Sequence, residues 1–68
     1  MTKNNAMTQK ITKILNDWTG DEGNWADLMP EGTHKDDELS CDADYLCTIT
    51  STGEAVYWSA SNSEAYIF

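Results

Sequence analysis

Arginine is absent from this chain, and beyond Lys13 a single lysine, Lys35, stands against all twelve carboxylates. Nucleic acids and anionic membranes are both held by ammonium and guanidinium groups that neutralise phosphate. A chain with a formal net charge of −8 and no arginine is therefore ill suited to bind either directly, and its electrostatic complement is a basic surface. No stretch approaches the ~18 consecutive apolar residues that would cross a membrane. The segment from Met1 to Thr8 lacks the apolar run of a secretory leader, so a cytoplasmic protein is expected.

Histidine occurs once, as His34, and cysteine twice, as Cys41 and Cys47. Cytoplasmic thiols stay reduced, and one C-x5-C pair is far from a disulfide framework. Six residues of extended strand would hold the two cysteines roughly 20 Å apart, so a bridge requires a turn between them. Catalysis has little to draw on. A Cys–His pair needs a thiol of lowered pKa, and the carboxylates around His34 and Cys41 would raise it. The H-x6-C-x5-C spacing lacks the close ligand pairs of structural zinc sites. Asp36, Asp37, Glu38, Asp42 and Asp44 offer hard oxygen ligands suited to calcium, but no glycine lies among them for the sharp turn of an EF-hand loop. No cofactor fingerprint is present, and the chain reads as a non-enzyme without cofactor or metal.

The 68 residues make one small domain, of a size that hides only about 60% of the surface its unfolded chain exposes. Its hydrophobic content of 40%, with three tryptophans and three tyrosines, predicts a folded globule rather than a disordered acidic tail. Met7, Ile11, Ile14, Leu15 and Trp18 fall on one stripe of a helix, predicted over 5–19. Asn4 or Asn5 would cap its start, and Gly20 would end it in the left-handed region. Lys10 and Lys13 border the stripe, with Thr8, Gln9, Thr12 and Asn16 toward solvent.

Gly20, Gly23, Pro30 and Gly32 break all periodicity across the next stretch, predicting a loop over about 20–44. Trp25, Leu28 and Met29 fit one helical turn behind Asp21 or Asn24, with Trp25 pinning the loop to the core. Two β-rich runs, 45–50 and 55–60, flank the turn Ser51-Thr52-Gly53-Glu54 as a hairpin. Pairing Thr50 with Ala55 sets Ile49 opposite Val56, Cys47 opposite Trp58 and Tyr45 opposite Ala60 on the covered side, leaving Leu46 and Tyr57 on the other. Ser61-Asn62-Ser63 turns into a third strand over 64–68, in which either Tyr66 and Phe68 or Ala65 and Ile67 join the buried side. The fold expected is α+β: an amphipathic helix on a three-stranded antiparallel meander, with a short fourth strand allowed around Leu39 to Cys41.

The working surface is the stretch from Asp17 to Asp44, where Asp17, Asp21, Glu22, Asp27, Glu31, Asp36, Asp37, Glu38, Asp42 and Asp44 crowd around Lys35. Carboxylates four apart on a helix, or two apart on a strand as Asp42 and Asp44 would be, are separated by roughly 6–7 Å. Neighbouring DNA phosphates have separations of that order, so a rigid face of carboxylates can occupy a groove shaped for nucleic acid. In size, acidity and lack of arginine the chain resembles the small inhibitors that phages and mobile elements direct against host nucleic-acid machinery: anti-CRISPR, anti-restriction and DNA-repair-inhibitor proteins. That resemblance carries no shared motif, so it transfers no residue roles.

Two readings follow. In the first, the chain inhibits a basic, nucleic-acid-binding protein or complex through Asp36, Asp37, Glu38, Asp42 and Asp44. Asp21, Glu22, Asp27 and Glu31 flank this contact, with Trp25 or Tyr57 as apolar anchor. In the second it is an adaptor or antitoxin-like module that uses Leu46, Tyr57 and Ile67 on the open sheet face, or an unpaired strand edge, a homodimer being the simplest version.

Overall fold

The computed structural model describes residues 5–18, 20 and 23–67. It is an α+β fold, with one helix on a four-stranded antiparallel sheet whose strands lie side by side in chain order. The helix α1 spans Ala6–Asp17, the strand β1 Thr33–His34, β2 Tyr45–Ile49, β3 Ala55–Ser59 and β4 Glu64–Ile67. A 3-10 turn occupies Trp25–Leu28.

Asn5 starts α1 through a reciprocal cap: its Oδ1 accepts the Thr8 N–H at 3.0 Å, and its own N–H donates to Thr8 Oγ1 at 2.6 Å. The helix stops one residue short of the expected tryptophan. Trp18 is extended, with ψ 127, and its N–H donates to Leu15 O at 3.3 Å, so it leaves the stripe it was predicted to close. Thr8 and Thr12 are also turned differently from expectation. Thr8 is fully buried beside Ile11, and Thr12 faces β4. Thr12 Oγ1 accepts the Ala65 N–H at 2.8 Å while donating to Thr8 O, and Asn16 Nδ2 donates to Ser63 O at 3.0 Å. A helix laid along an edge strand needs such polar residues, because the strand's outward backbone groups otherwise lack partners.

The turn of the β2–β3 hairpin sits one residue earlier than predicted, at the same four-residue length. Thr50 sends its N–H and its hydroxyl to Gly32 O rather than pairing with Ala55. The turn therefore closes at Ile49, which donates to Glu54 O at 2.8 Å and accepts from Gly53 N–H at 2.7 Å, with Gly53 at φ +76. The register becomes Cys47 opposite Val56 and Thr48 opposite Ala55, two residues from the expected one. An even shift leaves faces unchanged, so Cys47, Ile49 and Val56 remain together in the core.

A bulge between Tyr45 and Cys47 then reverses the faces at the start of β2. Leu46 enters the core, and Tyr45 moves to the opposite face across from Tyr57. In β4 it is Ala65 and Ile67 that join the core, opposite Trp58 and Val56, while Tyr66 pairs with Tyr57 on the other face. The fourth strand is β1, not the segment at Leu39 to Cys41, which forms turns instead. Thr33 and His34 pair with Ile49 and Thr48. Gly32, at φ +89, turns the chain into β1 where an added Cβ would lie 3.4 Å from Met7 Cε. The core is Ile11 with Leu46, Cys47, Ile49, Val56, Ala65 and Ile67, flanked by Met7, Leu15, Trp25, Met29 and Trp58.

Candidate functional site

The densest acidic segment, 36–44, is a run of turns braced on the sheet. Asp36 accepts the Glu38 N–H on its carboxylate at 2.9 Å, and its carbonyl accepts from Leu39 and Ser40. Asp42 N–H returns to Leu39 O, and Tyr45 N–H to Asp42 O. The brace is the Tyr45 hydroxyl, which accepts the Asp36 N–H at 2.7 Å and shares a 2.6 Å hydrogen bond with Thr48 Oγ1. Tyr45 is 3% exposed, so a buried sheet residue fixes the start of an acidic turn.

Asp37, Glu38, Asp42 and Asp44 are exposed, and Asp36 is half-buried. Asp27, in the 3-10 turn, and Glu31, before Gly32, are exposed as well. Asp21 and Glu22 lie outside the described residues. The expected strand spacing of Asp42 and Asp44 is not realised, because β2 begins only at Tyr45 and the preceding residues turn. Asp44 nonetheless touches the sheet, its carbonyl accepting the Trp58 N–H at 2.9 Å.

Two concavities flank the turn 42–44. One, of about 370 Å³, is formed by Asp42, Ala43, Asp44, Tyr57 and Tyr66. The tyrosine rings there are stacked, with centroids 6.1 Å apart and planes at 29°, and the Tyr45 ring meets Tyr57 edge-on at 5.8 Å. Desolvation of the Tyr57 hydroxyl, with the negative charge of Asp42 and a hydrogen bond to it, raises the tyrosine pKa above its usual 10.0. The other concavity, of about 240 Å³, is apolar, with Leu15, Trp18, Trp25, Leu46 and Trp58 among its walls and Asp44 at its rim. The Trp18 indole nitrogen is buried there with no partner among the described residues.

Trp25 and Tyr57 differ as anchors. Trp25 packs on the core and carries the Lys35 ammonium 5.3 Å from its ring centroid, so it is engaged within the chain. Tyr57 is half-buried beside Asp42. Leu46 and Ile67, assigned to an open apolar face by the adaptor reading, are instead core residues. Sequence reasoning missed Tyr66 as a partner of Tyr57. The signal was there, since the two tyrosines lie symmetrically about a four-residue turn at 60–63.

Both cysteines are free. Cys41 is exposed, its thiol donating to Glu38 O at 3.2 Å, and Cys47 is buried. Burial pushes the Cys47 thiol from its ordinary 9.0 up to about 11, against a smaller opposing hydrogen bond from Thr33, which is the reverse of what nucleophilic use requires. Among the described residues no three histidine, cysteine, aspartate or glutamate side chains come together to hold a metal ion, and no helix is long and apolar enough to cross a membrane. Comparison with protein-family models, with curated proteins and with solved structures finds no match.

Proposed function

We propose that this chain is a non-enzymatic inhibitor that acts in the cytoplasm, is of phage or mobile-element origin, and occupies the nucleic-acid-binding surface of a basic protein or complex. The observation that carries the reading is the acidic turn segment 36–44, which exposes Asp37, Glu38, Asp42 and Asp44 while the Tyr45 hydroxyl holds its start on the sheet. Carboxylates on a braced segment lose less freedom on binding than carboxylates on a loose tail, so more of their attraction appears as affinity. Asp27 and Glu31 extend the negative field, and Tyr57 supplies aromatic surface beside Asp42. Anti-CRISPR-like and anti-restriction-like inhibition are the forms of this activity that the charge favours.

The adaptor reading is weaker. Leu46 and Ile67 are in the core, and the outward Ala65 N–H and Ser63 carbonyl at the β4 edge are already bonded to α1.

Capture from cell lysate at low and at high salt, followed by elution with duplex DNA, tests the proposal. Nucleic-acid-binding proteins should be retained at low salt, released by salt and displaced by DNA. A triple variant with Asp36→Asn, Asp37→Asn and Glu38→Gln should retain the fold and lose most of that capture. Capture that persists at high salt and survives the triple change would overturn the reading.

A further inference from the structure

Resting on that reading, we infer that the concavity between the turn 42–44 and the tyrosine face is a receptor for an arginine side chain of the partner, with the guanidinium laid on the Tyr57–Tyr66 pair and directed to Asp42 and Asp44. Three features of the site converge on this chemistry. The rings of Tyr57 and Tyr66 present a stacked aromatic surface on a sheet face away from the helix. Asp42 and Asp44 are exposed and line the same space as the two rings. The space bounded by these four side chains is about 370 Å³, open to solvent.

A guanidinium is planar, weakly hydrated and forked. It can therefore stack on a ring while donating in-plane hydrogen bonds to a carboxylate. An ammonium is compact and strongly hydrated, and gains less from an aromatic floor. An anion is repelled by both aspartates. Charge complementarity thus selects a cation, and the aromatic floor selects arginine among cations. The chain's own lysines are engaged elsewhere in two cases, Lys13 with Asp17 at 2.9 Å and Lys35 over Trp25.

The probes are two labelled peptides of equal length and charge, one with arginine and one with lysine at every basic position, titrated into the full chain by fluorescence anisotropy. The arginine peptide should bind about fivefold tighter. Tyr66→Leu should bring the two affinities together without lowering that of the lysine peptide. Asp42→Asn should weaken both, while the Asp36→Asn, Asp37→Asn, Glu38→Gln variant should preserve the arginine preference. Because Tyr66→Leu can disturb packing, ring-proton shifts of Tyr57 and Tyr66 in the unmodified chain on adding the arginine peptide provide a second readout. Equal, salt-sensitive binding of both peptides, with unmoved tyrosine signals, overturns the arginine site and leaves the inhibitor reading standing. Binding of neither peptide overturns both.

Discussion

Tyr45→Phe removes one oxygen atom from the interior and should loosen the acidic segment from the sheet. The hydroxyl accepts the Asp36 N–H at 2.7 Å and bonds Thr48 Oγ1 at 2.6 Å, and both Tyr45 and Thr48 are no more than 5% exposed. Its loss leaves the Thr48 hydroxyl buried without this partner, at a cost of about 1–3 kcal/mol. The half-buried Asp36 N–H can turn to water, so its share is the smaller one, and a total of about 2 kcal/mol is expected. A domain of this length has a stability of about 3–10 kcal/mol, which makes the change a large fraction of the whole. The melting temperature should fall by about 10 °C. Urea denaturation measures the stability, and amide hydrogen exchange at Asp36 reports the brace directly. Exchange at Asp36 should accelerate beyond what the global loss of stability explains. A combined Tyr45→Phe, Thr48→Val variant should lose less than the two single changes together, since each removes the same bond. An unchanged melting temperature together with unchanged exchange at Asp36 would refute the bracing role.

Thr12→Val withdraws the acceptor of the buried Ala65 N–H, which should cost about 1–3 kcal/mol. It also bares part of the β4 edge, so sedimentation should detect concentration-dependent self-association absent from the parent; an unchanged melt and a strictly monomeric variant would count against edge protection by α1. Cys47 gives a pH signature. Its folded pKa of about 11 lies above its ordinary 9.0, so its stabilising contribution is complete below about 9 and is lost as pH rises from there through 11. Cys47→Ala should be less stable at neutral pH but show a shallower alkaline decline in denaturant titrations, and parallel declines would contradict the assignment. Iodoacetamide should label the exposed Cys41 well before Cys47.

Local chemistry determined much of this protein before any tertiary contact is considered. The 3.6-residue spacing of Met7, Ile11 and Leu15 specified a helix and narrowed its cap to Asn4 or Asn5, of which Asn5 serves, because the apolar face and the cap are both written within a few neighbouring residues. The β-branched and aromatic runs specified the meander and the α+β class. The excess of carboxylates, with no arginine to answer them, was equally plain, and on it rests the proposed choice of a basic partner.

Tertiary structure decided which faces these elements present. Thr12 and Asn16 read as solvent residues in a helix, yet α1 lies along β4, where backbone N–H and C=O groups need polar partners and these side chains supply them, while the buried Thr8 spends its hydroxyl on the Asn5 cap. At the bulge that starts β2 the Trp58 N–H donates to Asp44 O, and at the other end of the strand Thr50 donates to Gly32 O, partners far apart in the chain. That single inserted residue exchanged the places of Leu46 and Tyr45, emptied the open face of its expected leucine and set a row of tyrosines there instead. The number of carboxylates is a property of composition. Bringing Asp42 and Asp44 beside a stacked pair of tyrosines required a register, and register depends on hydrogen bonds between residues far apart in the chain.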